Sequence, residues 1–281
     1  MTDIQSQIAD IQSQLEAAYP QDEAQALAWW IMEEETGLSR SQLLFGHKGT
    51  TNFSNMQIII DRLLHFEPIQ YIFGHTLWYG LDLKVTPATL IPRPETAELI
   101  DLIGTCRLTE SNERILDIGT GSGCIAIALK RKHPSWQVTG IDISAEAIEV
   151  AKENARRNGV DVQFRQMDLF SDEIESFIHS FDIIVSNPPY IMEKEKRAMR
   201  PNVVDYEPAS ALFVPDDDPL LFYRRIASLH PQAHLFFEIN EALGAQMKNL
   251  LQNEGYTDVR IMPDIYGKER MIEAHRPNHA S

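Results

Sequence analysis

The tetrapeptide Asn187-Pro188-Pro189-Tyr190 holds the residue types that could do chemistry most directly. Its two prolines stiffen the backbone and remove two N–H donors, leaving carbonyls that can only accept. Asn187 adds a side-chain carbonyl oxygen. Acceptors converging on one point would hold an NH2 group, and Tyr190 would lay a flat surface beside it. The NH2 of an amide or aromatic amine has a delocalised lone pair and is a poor nucleophile. Acceptors set for a tetrahedral nitrogen stabilise the transition state of its alkylation more than the ground state. Positioning both reactants supplies much of the remainder. No strong base is needed beforehand, because the nitrogen becomes acidic once alkylated. The candidate catalytic residues are therefore Asn187, Pro188 and Tyr190, with Pro189 as a further substrate contact. A merely rigid loop is the plain alternative for an isolated Pro-Pro.

An alkyl donor needs its own site, and Gly119-Thr120-Gly121-Ser122-Gly123 offers one between a short apolar strand and a helix. Glycines let the backbone turn sharply and approach a ligand closely, and a helix start adds N–H donors. Gly121, Gly123 and Ala126 also satisfy a loose dinucleotide pattern, and Asp142 could grip a ribose. Both NAD and S-adenosyl-L-methionine fit so far, as does a tight turn with no ligand. Asp117, just before the loop, tilts the choice. A carboxylate there would face a sulfonium-bearing amino acid but would repel a pyrophosphate. Asp168 could hydrogen-bond an adenine amine, with Leu169 and Phe170 packing on the adenine face. Each acid alone could be an ordinary strand-end residue; the three together point to S-adenosyl-L-methionine.

The elements that must position these residues follow from periodicity. Residues 1–75 read as a small helical domain: Ile4, Ile8, Ile11 and Leu15 recur at helical spacing after a possible Asp3 cap. Pro20 breaks the pattern, a second helix ends near Gly37, Ser39 caps a third, and 55–65 is a fourth. Residues 76–93 read as a β-hairpin connector, with Leu81, Leu83 and Val85 alternating after a Tyr79-Gly80 turn. Residues 94–281 read as the catalytic domain. Pro94 could open a helix running to about Cys106. From there strands at 115–118, 137–141, 162–167, 181–186, 234–239, 259–262 and 271–274 alternate with helices at 124–132, 145–158, 220–229 and 242–255. That is an α/β, Rossmann-like fold with a mostly parallel seven-stranded sheet. Ligands in such a fold bind at the carboxyl ends of the strands.

Composition narrows the partners. The formal net charge is -16, and the basic runs Lys130-Arg131-Lys132 and Arg156-Arg157 are short. Such a chain repels a phosphate backbone, so direct nucleic-acid binding is not expected. Cys106 and Cys124 read as buried thiols and the scattered histidines offer no metal spacing, so no metal is expected. No apolar run is long enough for a membrane span, and Met1-Thr2-Asp3 does not begin a signal peptide. A cytoplasmic monomer is the expectation. Glu33, Glu34 and Glu35 form an acidic run that reads as a solvated helix face or a partner surface.

Four stretches carry a resemblance: 90–96, Leu-Ile-Pro-Arg-Pro-Glu-Thr; 116–123, Leu-Asp-Ile-Gly-Thr-Gly-Ser-Gly; 185–191, Val-Ser-Asn-Pro-Pro-Tyr-Ile; and 206–213, Tyr-Glu-Pro-Ala-Ser-Ala-Leu-Phe. With 68–74, Pro-Ile-Gln-Tyr-Ile-Phe-Gly, they resemble the HemK/PrmC protein-(glutamine-N5) methyltransferases. These modify the glutamine of the Gly-Gly-Gln motif in class-1 peptide-chain release factors. The Asn-Pro-Pro-Tyr motif alone is shared with adenine-N6 methyltransferases; the 91–96 block is far more specific. The resemblance implies cofactor contacts from Gly119, Thr120, Gly121, Ser122, Gly123, Asp142, Asp168 and Leu169. It implies substrate contacts from Asn187 to Tyr190, and an active-site wall at Arg93 and Glu95. It implies a release factor as partner, which the acidic helical domain would grip by a basic surface. A ribosomal-protein glutamine or a nucleic-acid adenine is the alternative substrate. Three positions depart from the family pattern: Ala97 where an acid is usual, Leu169 where some members carry tryptophan, and Asn240 where glycine is common.

Overall fold

The computed structural model describes residues 4–45, 53–105, 112–230 and 232–275. Asp3 and Cys106 lie outside the described residues. The chain forms two compact units, Met1–Gly74 with Arg200–Tyr206 and His75–Met199 with Glu207–Ser281.

The first unit is helical: α1 (Ile4–Leu15), α2 (Gln21–Thr36), α3 (Arg40–Leu44), α4 (Phe53–Leu64), α5 (Ile69–Phe73) and the short α10 (Pro201–Val204). Ile8, Ile11 and Leu15 bury one stripe of α1 against Ala24, Ala28 and Met32 of α2 and Ile60 and Leu63 of α4. Gly37 ends α2 at φ 67°, the left-handed cap that glycine adopts without penalty. Ser39 and Gln42 form a capping box on α3. The acidic run is not a bare solvated face. Glu33 accepts from the Arg40 N–H, Glu34 from the Trp30 indole and Glu35 from Asn55. Nothing in the periodicity marks 200–206 as part of this unit. Polar pairing at long sequence range places it there: Arg200 donates to both oxygens of Glu23, and the Tyr206 hydroxyl to the His65 carbonyl.

The second unit begins with the hairpin β1 (His75–Trp78) and β2 (Leu81–Lys84), turned by Tyr79 at φ 49° and Gly80 at φ 72°. This hairpin is not a separate connector. Trp78, Leu81 and Leu83 share a core with Leu99, Ile100 and Ile103 of α6 (Thr96–Thr105). The helix starts two residues later than Pro94. There follow β3 (Arg114–Ile118), α7 (Cys124–Lys132), β4 (Gln137–Asp142), α8 (Ala145–Arg157), β5 (Gln163–Gln166), α9 (Glu173–Ile178) and β6 (Ile183–Ser186). Then come β7 (Ile191–Met192), β8 (Phe213–Val214), α11 (Leu221–Leu229), β9 (His234–Glu238), α12 (Gly244–Asn253), β10 (Asp258–Pro263) and β11 (Glu269–His275).

The main sheet has seven strands in the order β10-β11-β9-β6-β3-β4-β5. The strands from β9 to β5 run parallel, and β11 is antiparallel to both β9 and β10. Alternate residues serve the two faces: Leu116, Ile118 and Ile184 in one core, Ile115, Ile183 and Val185 in the other. The parallel pair β7 and β8 lies apart from this sheet and was not legible, being two residues long. The six-residue α9 is too short to show a helical period in the sequence.

Candidate active site

The glycine loop leaves β3 at its carboxyl end and feeds α7. Gly119 and Thr120 both donate backbone N–H to the Ile141 carbonyl, which folds the loop across β4. Gly119 and Gly121 have φ of 73° and 54°, and a Cβ on Gly119 would meet no atom within 4 Å. The loop thus opens onto free space, a cavity of about 450 Å³. Thr120, Gly121 and Ser122 line its floor. Asp142, Ile143 and Ser144 form one side and Met167, Asp168, Leu169 and Phe170 the next. Ser186, Asn187, Pro188 and Pro189 close the end of β6, and Ala88, Thr89, Leu90, Pro92, Arg93 and Thr96 stand with Pro208, Ser210, Ala211 and Phe213 around the rest.

The carboxylates take different roles. Asp142 lines the cavity and accepts from the Gly121 and Ser144 N–H groups, each at 2.9 Å. Burial raises its pKa. Asp168 accepts from the Phe170 N–H at 2.8 Å, and Phe170 packs edge-on against Phe222 with ring centroids 5.6 Å apart. Asp117 does not line the cavity. Strand alternation turns it to the face that carries α7, where Oδ2 accepts from the Thr120 hydroxyl at 2.6 Å and the Ala126 N–H. Burial pushes this carboxyl up to about 7, with the Asp142 charge adding to the rise. Two buried oxygens at the loop, Asp117 Oδ1 and Ser122 Oγ, have no hydrogen-bond partner. Ser122 lines the cavity, where an orphan oxygen fits a ligand that brings donors, whereas Asp117 Oδ1 lies off it under α7. Flanking carboxylates, apolar side walls and open glycine backbone together fit S-adenosyl-L-methionine.

Gly123, Glu95 and Tyr190 also stand off the cavity wall. Gly123 has φ 80°, and a Cβ there would meet Ala151, Ile127 and Phe164 at 3.1 Å. It serves the packing of α7. Glu95 is half-buried before α6. Tyr190 turns its hydroxyl to Glu238 Oε1 at 3.0 Å, and burial raises its pKa well above the ordinary range. Its ring packs against the core and stays partly exposed.

Behind the Asn-Pro-Pro segment lies a network that sequence reasoning missed. Asn187 Nδ2 donates to Thr96 Oγ1 at 3.3 Å, and Thr96 donates to Glu238 Oε2 at 2.6 Å. Glu238 closes β9 fully enclosed; burial raises its pKa, and Thr96, Tyr190 and Arg270 oppose the rise. An acid inside the apolar run Leu235-Phe236-Phe237-Glu238-Ile239 was the available signal. Ser186, beside Asn187, donates to the Ile118 carbonyl at 2.6 Å and ties the ends of β6 and β3. Arg93 lines the cavity with its guanidinium held by Glu207, which also accepts from the Ile91 N–H. Asn154 of α8 bonds the Lys84 N–H and carbonyl and the Ser122 carbonyl, joining hairpin to loop.

The three departures all have places. Ala97, in the first turn of α6, packs on the core. Leu169 is buried in the cavity wall. Asn240 accepts from the Ala242 N–H, capping a short turn, and donates to the Tyr190 carbonyl. Among the described residues, no group of three or more His, Cys, Asp or Glu is arranged to hold a metal. No described helix is long and apolar enough to cross a membrane.

Comparison with known proteins agrees with this architecture. The Methyltransferase small domain family matches residues 101–205, and the PrmC N-terminal domain family matches residues 7–74. The release factor glutamine methyltransferase of Bacteroides thetaiotaomicron is 45% identical over 277 residues, covering 95% of this chain and 98% of that one. That of Flavobacterium psychrophilum is 39% identical, covering 93% and 95%. Among solved structures, the N-terminal domain of human METTL16 in complex with SAH has a TM-score of 0.52 at 16% identity, covering 95% of each chain. This last likeness is one of fold. On identity and coverage along nearly its whole length, the chain belongs to the release factor glutamine methyltransferase family.

Proposed function

We propose that this chain methylates the side-chain amide nitrogen, N5, of the glutamine in the Gly-Gly-Gln motif of class-1 peptide-chain release factors. S-adenosyl-L-methionine supplies the methyl group from its sulfonium centre. Thr120, Gly121, Ser122 and Asp142 would hold its polar parts, and Asp168, Leu169 and Phe170 its adenine. Asn187 Oδ1 and the Pro188 carbonyl would accept the two protons of the substrate NH2. That contact favours the nitrogen as it becomes tetrahedral. The walls at 88–93 and 208–213 would shield the reacting nitrogen from water.

The observation that carries this reading is the state of the Asn187 amide. Its NH2 is engaged by Thr96, which leaves an acceptor for a donor-bearing substrate. A net charge of -16 favours a protein substrate over nucleic acid. A release factor substrate implies a cytoplasmic enzyme, and we take the working unit to be a monomer without direct nucleic-acid contact. The test is incubation with labelled S-adenosylmethionine and, in parallel, purified release factor, ribosomal protein and an adenine oligonucleotide. Label on the release factor glutamine is expected. Label on the ribosomal protein alone or on adenine alone would overturn the substrate assignment.

A further inference from the structure

An asparagine amide has nearly the same shape in either flip, so sterics alone do not decide whether the cavity meets its oxygen or its NH2. Here a polarised chain of hydrogen bonds decides it. Glu238 accepts the hydroxyl protons of both Thr96, at 2.6 Å, and Tyr190, at 3.0 Å. The single proton of Thr96 is thereby committed. Toward Asn187 the threonine oxygen can only accept, and Asn187 Nδ2 meets it at 3.3 Å. The opposite flip would set Asn187 Oδ1 against an oxygen with no proton to give.

We infer that Thr96 and Glu238 are positioning residues that lock the Asn187 flip and so select a carboxamide over a carboxylate. This rests on the reading that Asn187 receives a substrate NH2. Three separated stretches build the device: Thr96 opens α6, Glu238 ends β9, and Tyr190 follows the Asn-Pro-Pro turn. With the flip locked, a glutamine side chain finds an acceptor for its N–H. A glutamate side chain, bringing only lone pairs, finds a repulsive oxygen. Specificity then comes from the group left unpaired in the wrong complex.

Thr96→Val removes the acceptor at nearly constant volume, and Thr96→Ser restores it. In the full chain, the side-chain NH2 of Asn187, assigned by its loss in Asn187→Ser, is followed by hydrogen exchange in NMR. Exchange should be slow in the wild type, about tenfold faster or more in Thr96→Val, and back near the wild-type rate in Thr96→Ser. With release factor as substrate, kcat should fall about tenfold in Thr96→Val and recover in Thr96→Ser, with cofactor affinity unchanged. Equal exchange in wild type and Thr96→Val would overturn the inference. So would a loss of turnover that Thr96→Ser shares, or one that follows cofactor affinity. A wild type that transfers no methyl to release factor would sink the proposed function instead, while the exchange rates still judge the flip.

Discussion

Arg93 donates to Glu207 at 2.5 Å across 114 positions of sequence, and the Glu207 side chain is only 1% exposed. The other Glu207 oxygen accepts from the Ile91 N–H at 3.1 Å. One carboxylate therefore staples the 88–93 and 208–213 walls of the cavity. Glu207→Ala leaves a buried N–H and a guanidinium without their acceptor. It should lower unfolding stability by about 2–4 kcal/mol, read by urea denaturation. Substrate KM should rise more than cofactor Kd. A loss under about 0.5 kcal/mol would show that the staple is dispensable.

Asp117 gives a pH signature. Burial holds its carboxyl up to about 7, above its ordinary value near 4. Between those values the native state keeps a proton that the unfolded chain has lost. The Asp117 contribution to stability then falls as pH rises from about 4 to about 7. Asp117→Asn removes this dependence. The stability of the variant minus that of the wild type should grow by on the order of 2–4 kcal/mol between about pH 4.5 and about pH 8. Urea melts across that range measure it, and a flat difference would mean that Asp117 ionises freely.

Gly140 of β4 has no room for a side chain. A Cβ would lie 2.7 Å from the Phe164 ring and 2.7 Å from Thr120 Oγ1. Gly140→Ala should push Thr120 off Asp117, cost about 1–3 kcal/mol of stability and weaken cofactor binding. Thermal melts and equilibrium dialysis with S-adenosylmethionine check this. Unchanged cofactor affinity would separate Thr120 from the cofactor site.

Much of this architecture is legible in residue order because local rules carry it. Gly37, Ser39 and the Tyr79-Gly80 turn mark element ends by their own backbone chemistry. The alternating apolar runs from residue 115 onward are those of the seven-stranded sheet. What was not legible depends on contacts between distant positions. Asp117 reads as a loop-facing acid until the pleat turns it under α7. Nothing in the residue order shows that the Tyr190 hydroxyl is tied to buried Glu238, 48 positions away. Thr96 and Glu207 sit inside recognisable blocks, yet their roles appear only when partners 142 and 116 positions away are in place.

In the proposed reaction the Asn187 acceptor serves a glutamine amide. Single-turnover methyl transfer to release factor, at saturating cofactor, tests it most directly, with the methyl located by peptide mapping. The wild type should place the methyl on the side-chain nitrogen of the Gly-Gly-Gln glutamine. Asn187→Ala should do so about two to three orders of magnitude more slowly, with cofactor affinity little changed. A methyl found on another residue, or an alanine variant close to the wild-type rate, would show that Asn187 does not play this part.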